Sequence, residues 1–265
     1  MLKANVVFWR NWRVRCYKAK GKRQKAKGKR QKAKDEIIKL VNTMKNKTIR
    51  LTALLVIILL AIPLVVMAGD KKKNKKEGQT IRLFNGKDLN NWVFKLKDPS
   101  VDPATVFTVH DGIIQIAGNP FGYMRTKETY SDYKLHVEWR WPSVPTNSGV
   151  FIHAQQPDSI WLRCVECQLK AGDAGDFVCM NGADMTERTD KTKPFVKKLG
   201  ASSEKPAGEW NTMEVICKSN SIEVSVNGVL QNKGTNINLS KGSVCLQSEG
   251  KSVEFRNVYL NKIGK

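Results

Sequence analysis

Two neighbouring stretches hold the residue types that can do chemistry: Asn147-Ser148-Gly149-Val150-Phe151-Ile152-His153 and Trp161-Leu162-Arg163-Cys164-Val165-Glu166-Cys167-Gln168-Leu169. Each alternates as a half-buried β-strand must, because successive side chains point to opposite faces. Counting by twos puts Gly149, Phe151 and His153 on one face of the first stretch, and Cys164, Glu166 and Gln168 on one face of the second. An imidazole and a carboxyl exchange protons near neutral pH when their surroundings tune them, so a shared face would hold an acid–base pair. The same two side chains, His153 and Glu166, could contribute to a divalent-ion site, though two ligands alone do not make one. Glu138 and Arg140 share a face of an earlier strand; they either line the same groove or form a cross-strand ion pair on a solvated face.

These side chains need a sheet to carry them, and the chain from Thr80 onward reads as strand after strand. Residues 106–110 and 113–116 flank Asp111-Gly112, a hairpin turn signal. Residues 133–141 alternate Tyr, Leu, Val and Trp with Lys, His, Glu and Arg, which places Trp139 and Trp141 in the core. Residues 212–218 and 221–226 alternate again, Asn227-Gly228 turns the chain into 229–231, and 242–247 and 253–263 close it. The connection from 154 to 160 carries Pro157, Asp158 and Ser159, the composition of a hairpin link. Apart from one turn near 129–132 no helical period appears, so the expectation is an all-β sandwich or barrel.

The formal charge of +22 suggests a polyanion partner until it is mapped. Residues 1–43 hold fifteen Lys and Arg against two acids, including a KAKGKRQ repeat at 18–24 and 25–31. Such a segment cannot bury a core and is expected to be a disordered basic leader, or a stretch upstream of a true start at Met44. Residues 44–68 read as an export signal: a short basic start, an apolar run at 51–68, and Val66 and Ala68 before the expected cut. At about 18 residues the run is also near the length of an uncleaved membrane anchor. A Lys-rich linker at 69–79 then leads to the domain at 80–265. The domain is therefore expected in the periplasm or outside the cell, touching a membrane only through 51–68, with no nucleic-acid partner. Its five cysteines, Cys164, Cys167, Cys179, Cys217 and Cys245, cannot all pair and mostly sit in apolar strand patterns, as buried free thiols do. Cys164 and Cys167 spell C-x-x-C, but i and i+3 on a strand face opposite ways, which argues against a zinc or redox pair.

Several phrases together resemble one family. Leu83-Phe84-Asn85-Gly86-Lys87-Asp88-Leu89-Asn90-Asn91-Trp92 is similar to its opening signature, and Asn147–Phe151 to its NSGVF strand. Pro206-Ala207-Gly208-Glu209-Trp210-Asn211, Asn227-Gly228, Leu246-Gln247 and Val253-Glu254-Phe255-Arg256-Asn257 resemble later motifs in the same order. The family is the 3-keto-disaccharide hydrolase domain family, formerly a domain of unknown function. The resemblance implies a concanavalin A-like jelly roll of two antiparallel sheets, acting on sugars oxidised at C3. A C3 ketone acidifies the C2 proton; its removal expels the C1 leaving group, and water adds to the resulting enone. On this reading Glu166 acts as base or metal ligand and His153, where many members carry Arg, as acid–base partner or second ligand. Gln168 orients the sugar, Arg140, Glu138 and Asp176 complete the groove, and Trp161 stacks on a ring. A divalent ion polarising the ketone is an optional cofactor. The alternative is a non-catalytic lectin-like module that binds glycans.

Overall fold

The computed structural model describes residues 78–264, together with Asp35. Apart from Asp35 and the last two linker residues, the leader, the export segment and the linker expected from the sequence lie outside the described residues. Fifteen strands form two antiparallel sheets. They are β1 Thr80–Arg82, β2 Trp92–Leu96, β3 Phe107–His110, β4 Ile113–Ile116, β5 Gly122–Thr126, β6 Tyr133–Arg140, β7 Gly149–Ala154 and β8 Cys164–Gln168. After them come β9 Phe177–Met180, β10 Phe195–Val196, β11 Asn211–Lys218, β12 Ser221–Val226, β13 Val229–Gly234, β14 Ser243–Ser248 and β15 Val253–Lys262. The first sheet runs β13-β12-β11-β6-β15-β4-β3, with β1 also on β15, and the second runs β10-β9-β8-β7-β14-β5-β2. Within residues 78–264 the only helical element is the 3-10 turn Pro103–Thr105; the turn expected near 129–132 is a bridge and a bend.

The two sheets obey the period-2 rule differently, and this difference decides where a site can form. Along β6 burial alternates strictly: Tyr133, Leu135, Val137 and Trp139 are buried, while Lys134, His136, Glu138 and Arg140 face partly to solvent. That is a sheet with one face in the core and one outside. Strands β7, β8 and β14 are buried on both faces along their whole length. Val150, Ile152, Val165, Cys167, Val244 and Leu246 pack into the inter-sheet core, each contributing roughly 1–3 kcal/mol. Phe151, Cys164 and Cys245 form a second, smaller cluster on the far face with Tyr123, Ala154 and Leu162. The C-x-x-C sulfurs are thus divided between the two clusters, as the strand geometry predicts.

Positive-φ residues sit at the expected turns: Asp111 and Gly112 (φ 49° and 74°) join β3 to β4, and Asn227 and Gly228 (φ 50° and 80°) join β12 to β13. The far face of the second sheet is covered by the connection from β7 to β8. Arg125 of β5 donates to both carboxylate oxygens of Asp158 (2.6 and 2.7 Å), and Tyr123 Oη donates to the Ser159 carbonyl (2.9 Å).

Candidate active site

Strand register builds the site. Phe151 lies opposite Glu166, and Gly149 opposite Gln168. On the other side of β7, Cys245 lies opposite Phe151 and Leu246 opposite Val150, which brings Gln247 beside Gly149. Beyond the strand ends, Asn147 bridges to Glu249. Gly149 therefore leaves a gap between two amide-bearing neighbours, and the Glu166 carboxyl fills it: a Cβ on Gly149 would stand 2.2 Å from Glu166 Oε1. Any side chain at this position would evict the carboxyl.

The resulting cavity, of about 560 Å³, is lined by Asn147, Glu166, Gln168, Gln247 and Glu249, and rimmed by Trp161 and Phe195. That volume suits a one- or two-ring ligand. Trp161 and Phe195 are 57% and 51% exposed, unusual for rings of their size. Trp161 is propped by Phe121, with ring centroids 4.9 Å apart, and its carbonyl accepts from Asn181 Nδ2 at 3.1 Å. Among the described residues that line the cavity, none is Lys, Arg or His. The described lining therefore offers an anionic group no charge-assisted side-chain donor.

Three oxygens in this cavity are buried and have no protein partner: Glu166 Oε1, Gln247 Oε1 and Asn147 Oδ1. Buried polar atoms are almost always paired, because leaving one unpaired costs about 1–3 kcal/mol. Three unpaired buried oxygens in one cavity are the mark of a surface left open to a polar ligand. Burial, reinforced by the nearby charge of Glu249, pushes the Glu166 carboxyl up from 4.5 to about 8. At neutral pH it carries its proton and can donate it. Gln168 is committed differently: its Oε1 accepts from the backbone N–H of Leu169 and Lys170 (3.0 and 2.9 Å), which fixes its amide at the cavity wall.

Four of the expected site residues lie elsewhere. His153 does not share the face of Phe151. Between Phe151 and Ala154, β7 has one residue more than β14, a β-bulge, and His153 takes φ 52° within it. The bulge turns the imidazole towards the opposing sheet, where it meets Tyr133 edge-on at 5.7 Å and Nε2 lies 3.3 Å from the Ser131 carbonyl. Desolvation holds its pKa below the usual histidine value. A His153–Glu166 metal pair is therefore not assembled, and among the described residues no group of three or more His, Cys, Asp or Glu side chains is placed to hold an ion. Glu138 and Arg140 lie on the outer face of the first sheet, because β6 has its core face filled by Trp139 and Val137. There Glu138 pairs with Arg256 at 2.6 Å, Arg140 pairs with Glu254, and both guanidinium groups stack on Trp210 (4.1 and 4.6 Å). Asp176 is buried and accepts from Lys197 Nζ and the Lys198 N–H, both at 2.8 Å, anchoring the segment around β10. Glu166, Gln168 and Trp161 are brought together as expected.

Gln247, Asn147, Glu249 and Phe195 are functional candidates that the sequence reading passed over. The first had a signal: with Val244 and Leu246 in the core, alternation alone puts Gln247 on the far face. Phe195 belongs to a two-residue strand whose place depends on pairing with β9, a long-range contact with no local signature.

The fold is an antiparallel β-sandwich whose second sheet carries a cavity lined by carboxyls and amides. Residues 79–261 match the family described as the 3-keto-alpha-glucoside-1,2-lyase-like domain, and the chain belongs to that family. Two solved structures from Parabacteroides distasonis ATCC 8503, each provisionally described as a glycosyl hydrolase, share the fold. Both are 20% identical in sequence and cover 70% of this chain; one is itself covered to 94% with a TM-score of 0.51, the other to 100% with a TM-score of 0.52. No curated protein matches the chain.

Proposed function

We propose that this domain cleaves glycosides of 3-keto sugars by removing the C2 proton, eliminating the C1 substituent and adding water to the enone. The observation that carries this reading is the Glu166 carboxyl: buried, with Oε1 unpartnered and its pKa raised to about 8, in a cavity whose described lining residues include no Lys, Arg or His. A proton donor placed there serves the step in which the C1–O bond breaks, by protonating the departing oxygen. Gln247 and Asn147 accept hydrogen bonds from sugar hydroxyls, Gln168 shapes the wall, and Trp161 with Phe195 stacks on ring faces at the rim. Family membership supports the 3-keto substrate and the elimination. Delivery outside the cytoplasm, expected from residues 44–68, belongs to the same proposal and is checked by sequencing the N-terminus of the mature protein.

The test uses two 3-keto-glucosides, one with a methoxy and one with a 4-nitrophenoxy leaving group, with and without a chelator. Glu166→Gln should slow methanol release by about 10²–10⁴-fold and nitrophenol release far less, since nitrophenolate leaves without help. Equal losses for both, or none, would refute the acid role. Binding of both sugars without turnover by the unaltered protein would mark a lectin-like module instead.

A further inference from the structure

An elimination needs a base as well as an acid, and the expected partner His153 points into the opposing sheet. The cavity offers one other titratable carboxyl, Glu249, just past the end of β14. Three observations bear on it. Glu249 lines the same cavity as Glu166, and its negative charge is felt by the buried carboxyl. The Asn147–Glu249 bridge fixes its backbone against the strand that carries Gly149. Gln247 lines the same cavity as the two carboxyls, only 2% exposed and with its Oε1 unpartnered. The two acids therefore share a cavity with a buried, unpartnered amide oxygen. Glu249 is half-exposed where Glu166 is buried, so two carboxyls of one cavity sit in different dielectric surroundings. Such a contrast separates an acid from a base.

We propose that Glu249 is the second catalytic carboxyl, the base that takes the C2 proton of the bound 3-keto sugar while Glu166 protonates the leaving oxygen. This inference rests on the elimination reading above. The balance is complete without any further reactant. Glu249 takes the proton; the C2–H electron pair forms the C1=C2 bond through the enolate; the C1–O bond breaks; and its electron pair accepts the Glu166 proton. In the return, water gives a proton to Glu166 and its hydroxide to C1, and Glu249 returns a proton to C2. Both residues end as they began.

The test follows two readouts on the same 3-keto-glucosides: aglycone release, and solvent deuterium incorporation at C2 by NMR in D₂O. Glu249→Gln should lower kcat by 10²-fold or more and abolish enzyme-dependent deuterium exchange at C2. Glu166→Gln should keep the exchange and flatten the alkaline limb. Because Glu249 is partly exposed, its variant should fold, which an unchanged melting transition verifies. Wild-type kcat or retained C2 exchange in Glu249→Gln overturns this assignment alone. Absence of aglycone release from the unaltered protein overturns the elimination reading and this inference with it.

Discussion

The burial of Glu166 makes a quantitative claim about stability that can be tested without any substrate. Its folded-state pKa, about 8 against an ordinary 4.5, is raised. The folded protein therefore holds this proton more tightly than the unfolded chain, and stability is lost as pH rises through that window. The contribution is whole below about pH 4 and falls by about 1.4 kcal/mol for each pH step, giving a deficit of about 3 kcal/mol at pH 7. Glu166→Gln keeps the shape and removes the titration. The variant should match the parent protein near pH 4 and exceed it by about 3 kcal/mol at pH 7. In a domain of this size that is a melting temperature roughly 6–12 °C higher. Urea unfolding of both proteins between pH 4 and 8 measures the gap directly. A gap that does not widen with pH would show that the carboxyl is solvated or paired in solution. The account of Glu166 as a protonated donor would then fall.

Other perturbations read out the remaining geometry. Gly149→Ala should displace the Glu166 carboxyl, since the added methyl would stand 2.2 Å from its oxygen; activity should drop at least 100-fold for a stability loss of about 1–3 kcal/mol, measured by turnover and melting. His153→Gln should cost about 1–3 kcal/mol through the bulge and its Tyr133 contact, yet leave the pH–rate profile unchanged; a moved limb would return the imidazole to the chemistry. Trp161→Ala should raise KM with little change in kcat, as loss of a rim platform does, and steady-state kinetics separates the two.

Much of the fold could be read from residue order because the alternation on β6, β11 and β12 is strict, with the core on one side and water on the other. Asp111-Gly112 and Asn227-Gly228 mark their turns for the same local reason. The site was legible only where alternation continued, which is why Glu166 and Gln168 were found together. It failed at His153 because a bulge inserts one residue and rotates the next side chain, and that insertion is set by pairing with β14, far along the chain. Glu138 and Arg140 followed the second of their two readings, ion pairing across strands on a solvated face, because strict alternation on β6 turns them away from the core. Which face becomes a cavity depends on the 155–163 connection folding over one sheet. Glu249 was invisible because it follows the strand rather than lying on it.

The ties between Arg125 and Asp158, and between Tyr123 and Ser159, have a bearing on how tightly a small sugar can be held. A loop that had to stiffen around each arriving molecule would surrender part of every contact to the entropy of ordering it. Here the chain carrying Trp161 is fastened to the neighbouring β5 strand when the domain folds. On the proposed reading the indole is already in position before a sugar arrives, so affinity should follow the fit of the sugar rather than the pliancy of the protein.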